Sequence, residues 1–249
     1  MRVFFVAIAA FVMTILLGPV VLVARLFGIP QGPASIYSRC IRLWARTVNF
    51  AAGVRVRVHN PERMLHEHGA VFIANHVSWF DVFALAAEVP WCSFVAKTEL
   101  RKIPLFGFAI EAAGIVFIDR ENRKKAFESY KVAAAEVYRG RAIVVCPEGT
   151  RGHDYRLRPF KKGPFVLAIA AQAPIVPTVV HGAREVMKKG SFLVHGGVVD
   201  LHFLEPISTE GMDYDRRSEL MAQSWSAMAR TFADVYGVQS DEPVVAKQA

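Results

Sequence analysis

Cysteine is scarce in this sequence: 249 residues carry only Cys40, Cys92 and Cys146, and no two form a Cys-x-x-Cys pair. So sparse and odd a set excludes a disulfide framework and a structural zinc site. It fits a reducing compartment in which all three act as small apolar residues, and no metal is expected. Internal repeats and low-complexity tracts are also missing, which removes solenoids and arrays. Charged residues make up only 21% against 53% hydrophobic, a balance that fits neither a disordered chain nor a polytopic membrane protein. Acidic residues are outnumbered, 22 against 30 Lys and Arg, for a net charge of +8. That excess points to an anionic partner or serves solubility alone. No basic stripe with interleaved aromatics and no reader motif is present, so nucleic acid is not an expected partner.

Charge is wholly absent between Val3 and Ala24, where Thr14 is the one polar side chain and Gly18-Pro19 the one helix-breaking pair. As a straight helix these residues would reach about 33 Å, roughly the hydrocarbon thickness of a bilayer. A cleaved signal peptide is a weaker reading, because no small-x-small site follows the run. The expectation is a retained membrane segment that either spans or is kinked at Gly18-Pro19 into a hairpin in one leaflet. In residues 36–50, helical spacing sets Tyr37, Cys40, Ile41, Trp44 and Val48 on one side and Arg39, Arg42 and Arg46 on the other. That pattern fits a helix in a headgroup layer or a surface helix on the protein's own core, with the neighbouring apolar run favouring the former.

From residue 54 onward, short strand-like runs alternate with helical stretches. Strands are expected at 54–58, 70–74, 93–96, 115–118, 142–146 and 175–180, with more strand material in 192–203 broken by Gly196-Gly197. Helices are expected at 80–87, 105–113, 123–138, 163–172 and 214–236. The last carries Met221, Trp225, Met228, Phe232 and Val235 as a core-facing stripe. This alternation predicts an α/β domain with a largely parallel mixed sheet flanked by helices. The expected division is residues 1–50 for membrane attachment, 51–238 for the α/β domain and 239–249 for a frayed tail.

The strongest chemical candidate is Asn75-His76-Val77-Ser78-Trp79-Phe80-Asp81, where the strand 71–74 runs into a helix. His76 lies just past a strand end, and a bend lets Asp81 reach back to the imidazole. His76 then accepts a proton while Asp81 fixes its tautomer. With eight His and eight Asp in the chain, about a quarter of a chance His-x4-Asp match is expected. A second one exists at His195 and Asp200, without the strand-to-helix setting. Ser78-x-x-Asp81 also reads as a capping box, which would make Asp81 a helix cap alone. Two further segments carry donors at strand ends. Cys146-Pro147-Glu148-Gly149-Thr150-Arg151 offers a tight turn, a hydroxyl and a guanidinium fork suited to phosphate, and Gly114-Ile115-Val116-Phe117-Ile118-Asp119-Arg120 ends in an ion-pair candidate.

Taken in order, these blocks resemble the glycerolipid acyltransferase family, typified by the 1-acyl-sn-glycerol-3-phosphate acyltransferases. The matching blocks are Asn75-His76-x4-Asp81, Gly114-x-x-Phe117-Ile118-Asp119-Arg120, Pro147-Glu148-Gly149-Thr150-Arg151 and Ile175-Val176-Pro177, with Lys97-x-Glu99-Leu100 between the first two. The resemblance covers roughly residues 54 to 205. Departures are Cys146 where Phe is usual, Gly152 where Ser often follows, and Thr178 where Val is common. The resemblance implies catalysis by His76 and Asp81, and substrate binding by Lys97, Arg120, Glu148, Gly149, Thr150 and Arg151, with no cofactor. It implies transfer of an acyl group from acyl-CoA or acyl carrier protein to the sn-2 hydroxyl of 1-acyl-glycerol-3-phosphate, giving phosphatidic acid, at the cytoplasmic face of the inner membrane. Other acceptors compatible with the blocks are a lyso-ornithine lipid, another lysophospholipid or glycerol-3-phosphate. A non-enzymatic reading is a peripheral membrane-binding protein.

Overall fold

A computed structural model describes residues 1–64, 69–118 and 123–241, and within these the side chains of 123–128 are left aside. Seven strands form one sheet: β1 (Val54–His59), β2 (Ala70–Ala74), β3 (Cys92–Lys97), β4 (Val116–Ile118), β5 (Ala142–Val145), β6 (Ile175–His181) and β7 (Gly197–Phe203). Their spatial order is β1-β7-β6-β2-β5-β3-β4. All neighbours run parallel except β6 and β7, which are antiparallel. The expected largely parallel mixed sheet is therefore present. β2 is its central strand, and every residue of β2 is buried, which explains the uninterrupted apolar run Ala70-Val71-Phe72-Ile73-Ala74.

Eight helices complete the described chain: α1 (Arg2–Leu26), α2 (Ile36–Ala52), α3 (Trp79–Glu88), α4 (Phe106–Ala112), α5 (Arg123–Tyr138), α6 (Gly163–Ala171), the one-turn α7 (Ala183–Val186) and α8 (Arg217–Tyr236). The alternation of side chains along each strand separates two cores. Phe72, Ala74, Val176 and Leu201 join the first, beneath α2 and α3. Val71, Ile73, Ile175 and Val179 join the second, beneath α6 and α8.

Four expectations are corrected. The apolar N-terminal run does not break at Gly18-Pro19: α1 is one helix of 25 residues with Pro19 inside it. Its neighbours hold it straight enough to continue, since Gly18 packs on Leu105, and Val21 and Ala24 are buried against Tyr37, Cys40 and Ala113. The apolar face of α2 lies on the protein rather than in a headgroup layer, with Tyr37 and Val48 fully buried. Its arginines answer to α3: Arg42 donates to the Ala87 carbonyl at 3.3 Å and Arg46 pairs with Glu88 at 3.5 Å. Strand material before Gly197 is absent, because residues 187–196 form a loop. On α8, Val235 is exposed and Leu220 takes a core place beside Trp225, Met228 and Phe232.

Candidate active site

The site begins where β2 ends. Asn75 is buried, and its amide bridges to β6: Nδ2 donates to the Val180 carbonyl at 2.9 Å and Oδ1 accepts from the Val180 N–H at 2.7 Å. This clamp extends the β2–β6 ladder by a side chain and sets the direction in which the chain leaves the sheet. Asn75 was part of the motif but carried no role in the sequence reading. Only the fold shows that its two-sided amide replaces strand pairing.

His76 follows, and Asp81 on the first turn of α3 reaches back to it. One carboxylate oxygen of Asp81, Oδ2, accepts from His76 Nδ1 at 2.9 Å, from the Val77 N–H at 2.7 Å and from the Ser78 N–H at 2.7 Å. Asp81 is fully buried and His76 largely so. Because the carboxylate accepts, Nδ1 carries the imidazole proton and Nε2 presents its lone pair. No described residue takes a hydrogen bond at Nε2. The cap and the imidazole's partner turn out to be one group: the bond to Ser78 N–H is half of a capping box, and Ser78 Oγ accepts from Phe80 N–H at 3.3 Å. Ser78 Oγ–H is itself donated to the Met187 carbonyl at 2.7 Å. Its hydroxyl is thus engaged away from His76, which removes it as a nucleophile activated by that base.

The loop after β5 grips the main chain of His76 from both sides. Glu148 Oε1 accepts from the His76 N–H at 3.1 Å, and the Gly152 N–H donates to the His76 carbonyl at 2.7 Å. The other oxygen of Glu148 accepts from Arg158 Nε at 2.8 Å. Burial pushes the Glu148 carboxyl above its ordinary value, while the adjacent Arg158 pulls against that shift. Glu148 is therefore spent on holding two parts of the site together. Arg158 also donates to the Thr150 carbonyl, and Thr150 itself is exposed. Gly149 has φ +77°, and a β-carbon there would fall 2.8 Å from Cε of Lys161. Glycine thus serves both the left-handed turn and the close passage of the Lys161 stem. Arg151 places its guanidinium 5.1 Å from the centre of the Trp79 ring, one residue into α3.

Of the sequence-derived site residues, the fold brings His76, Asp81, Glu148, Gly149, Thr150 and Arg151 together. Lys97 ends β3 at the same edge of the sheet, exposed and without an ion pair among the described residues. Arg120 lies outside the described residues. The sequence reading missed Arg158 and Lys161. Their segment, Leu157-Arg158-Pro159-Phe160-Lys161-Lys162, combines buried Leu157 and Phe160 with basic residues between them, a pattern that could have drawn notice.

An apolar cavity of 470 Å³ reaches the His76–Asp81 segment through Trp79 and Phe80. It lies between α1, α2, α3 and α4, and Val6, Trp44, Phe80, Phe83, Ile110 and Met187 are among its lining. Phe80 belongs to the His76–Asp81 block, so proton acceptor and apolar cavity share one short segment. Such a pairing suits a substrate with a reactive polar end and a hydrocarbon tail.

The second His-x4-Asp match does not form a pair. Asp200, on β7, accepts from Arg57 through both oxygens at 2.8 Å each and from His59 Nε2 at 2.8 Å, whereas His195 lies in the preceding loop. Burial pushes the Asp200 carboxyl up, but the hydrogen bonds from Arg57 and His59 outweigh it and leave the group below its ordinary value. His59, Asp200 and His202 bring three ligand atoms within 4.8 Å. The two rings stack, however, with planes 2° apart and centroids at 4.0 Å. Lone pairs lying in parallel planes cannot converge on one ion, and Arg57 occupies the carboxylate.

Fold and site together set a hydrogen-bonded His–Asp pair and part of an apolar cavity wall on one short segment at the end of β2. A family model described as Acyltransferase matches residues 55–181. The chain is 31% identical over 198 residues to the 1-acyl-sn-glycerol-3-phosphate acyltransferase of Saccharomyces cerevisiae, covering 78% of this chain and 65% of that one. It is 30% identical over 199 residues to the human 1-acyl-sn-glycerol-3-phosphate acyltransferase alpha, covering 79% and 70%. An uncharacterised acyltransferase of Schizosaccharomyces pombe is 30% identical over 217 residues, covering 86% and 77%. The matched region thus spans about two thirds of these relatives' lengths. The crystal structure of the 1-acyl-sn-glycerophosphate (LPA) acyltransferase PlsC from Thermotoga maritima superposes with a TM-score of 0.80 over 96% of this chain and 97% of that one, at 23% identity, which shows a shared fold. The chain belongs to the acyltransferase family.

Proposed function

We propose that this chain transfers a fatty acyl group from a thioester donor, acyl-CoA or acyl carrier protein, to the sn-2 hydroxyl of 1-acyl-glycerol-3-phosphate, giving phosphatidic acid. The observation that carries the reading is the buried Asp81 holding His76 with Nε2 free, next to a cavity fit for hydrocarbon. The names of the yeast and human relatives support the acceptor.

His76 Nε2 takes the proton of the acceptor hydroxyl as its oxygen attacks the thioester carbonyl carbon. Asp81 stabilises the imidazolium that forms. The tetrahedral intermediate collapses with rupture of the C–S bond, and the departing thiolate recovers the proton from His76, so no acyl-enzyme forms. The Gly149 N–H is given to the Cys146 carbonyl at 3.1 Å, which leaves the backbone N–H of Thr150, next along the turn, as the donor for the oxyanion. Lys97, Arg120 and Arg151 hold the phosphate. Purified protein given one labelled acyl-CoA and a panel of lysolipids, with products weighed by mass spectrometry, tests the reading. Transfer only to an acceptor lacking phosphate, or release of free fatty acid without acceptor, would overturn it.

The same reading places the enzyme on a membrane. α1 is long and apolar enough to cross one by length and composition. Its packing argues for an in-plane seat instead. Trp44 Nε1 donates to the Ala10 carbonyl at 3.3 Å and to Thr14 Oγ1 at 3.0 Å, and Arg2 at the helix start donates to the Ala52 carbonyl at 3.3 Å. One side of α1 is thus taken by protein along its length. The other exposes Phe4, Phe5, Ile8, Phe11, Ile15 and Leu16. An apolar stripe of that kind is matched by the hydrocarbon boundary of one leaflet. Three cysteines that form no disulfide with one another accord with its cytoplasmic face.

A further inference from the structure

The loop of residues 187–196 joins α7 to β7 and carries no role in the chemistry above. It is tied down at both ends. Its Met187 carbonyl accepts from Ser78 Oγ–H at 2.7 Å, and its His195 N–H donates to the Val186 carbonyl at 2.9 Å. Inside it, the Ser191 N–H donates to the Lys188 carbonyl at 3.1 Å and the Leu193 N–H to Ser191 Oγ at 3.0 Å. This built turn nevertheless displays two adjacent large apolar side chains, Phe192 at 82% and Leu193 at 69% exposure. Lys188 and Lys189 precede them, and neither has an ion pair among the described residues.

The loop borders the start of α1. Leu193 to Gly196 and Met1 to Val3 border one cleft. The Arg2 guanidinium packs on Gly196, where a β-carbon would come 1.7 Å from Nη1, so this glycine is what lets the helix start sit against the loop. Phe4 and Phe5 on that helix start and Phe50 on the last turn of α2 are exposed as well. Large apolar side chains exposed on three segments, two of which border one cleft, mark an interaction surface. Cations beside apolar tips fit anionic headgroups above hydrocarbon.

We propose that Phe192 and Leu193 form a second membrane contact, inserting at the headgroup–acyl boundary of the leaflet on which α1 lies, with Lys188 and Lys189 at the lipid phosphates. The proposal rests on the in-plane reading of α1. It gives the enzyme a purpose for the tie between Met187 and Ser78. That bond links a lipid-inserted loop directly to the His76–Asp81 segment, and Met187 and Val194 also line the apolar cavity. The cavity is thereby held against the lipid from which an acyl-bearing acceptor arrives, rather than open to water.

The experiment is hydrogen exchange of the full chain, alone and with vesicles of phosphatidylcholine containing phosphatidylglycerol, alongside vesicle partitioning of two variants. The expected result is that vesicles protect both α1 and residues 187–196. Phe192→Ser with Leu193→Ser lowers partitioning by roughly tenfold or more, while turnover of a short-chain, water-dispersed lysophosphatidate stays at the parent level. Lys188→Gln with Lys189→Gln lowers partitioning onto the anionic vesicles only. Protection of α1 alone, with unchanged partitioning of the Phe192/Leu193 variant, overturns the second contact and leaves the seat of α1 standing. No protection anywhere removes both. Protection of the loop by an acidic acyl carrier protein, and not by vesicles, assigns the surface to a protein partner and overturns the proposal too.

Discussion

His76 meets Asp81 at 2.9 Å and His59 meets Asp200 at 2.8 Å, so distance does not separate the two contacts. Their surroundings do. The first lies within one turn between β2 and α3, and Asp81 receives only N–H donors, two of them from backbone. Its imidazole keeps one nitrogen free. The second joins neighbouring strands. Asp200 is already neutralised by Arg57, and the His59 ring is stacked on His202, which in turn meets the Tyr236 hydroxyl at 2.6 Å. A histidine beside a carboxylate is fitted to act as a base when no other cation neutralises the carboxylate and its far nitrogen has no partner.

The sharpest way to break this comparison is to remove each histidine. His76→Ala should cost about 10³-fold or more in kcat with little change in melting temperature, whereas His59→Ala should keep turnover within about twofold. Product formation followed by mass spectrometry reads both, and equal losses would mean that the two contacts are not different in kind. Next in size, Asp81→Asn should lose about 10²- to 10⁴-fold in kcat through the wrong imidazole tautomer, and Asp200→Asn should lower the melting temperature without slowing transfer. Gly149→Ala comes third. With φ +77° and Lys161 Cε 2.8 Å from the added carbon, denaturant titration should show at least about 1 kcal/mol of lost stability.

The smallest effect belongs to pH and separates the regions once more. Burial lowers His181 and His202 below their ordinary value of 6.5. Between the lowered folded-state values and 6.5 the unfolded chain binds more protons than the folded one. Stability contributed by these groups is therefore present above pH 6.5 and is lost as pH falls through their folded values. Melting temperature should decline from pH 7 to pH 5, and His202→Asn should flatten that decline. An unchanged slope in the variant would show that His202 is not a source of it.

Much of the fold was legible because burial on both faces of a parallel sheet leaves continuous apolar runs and helices keep their own period: strand 70–74 and helix 123–138 match the observed elements at both ends. The misreadings cluster where a partner elsewhere in the chain decided the outcome. Pro19 stays inside α1 because α2 and α4 pack along it. Arg42 and Arg46 of α2 reach partners on α3. The stripe of α8 shifts from Val235 to Leu220 because β6 and α6 define which side is inward.

For the site, order and spacing of the blocks around His76, Asp81, Glu148 and Arg151 were enough to read the reaction class, since each block is a short segment whose local geometry follows from its own residues. The Asp81 cap and the Gly149 turn are of this kind. The uses of Asn75, Arg158, Lys161 and Gly196 were decided by tertiary structure alone. Each contacts a segment distant in sequence: Val180, Glu148, Gly149 and Arg2 respectively. The pair that opens this comparison has the same origin. Sequence spacing offered His195 as the partner of Asp200, and strand pairing between β1 and β7 supplied Arg57 and His59 instead, because register across a sheet outweighs proximity along the chain.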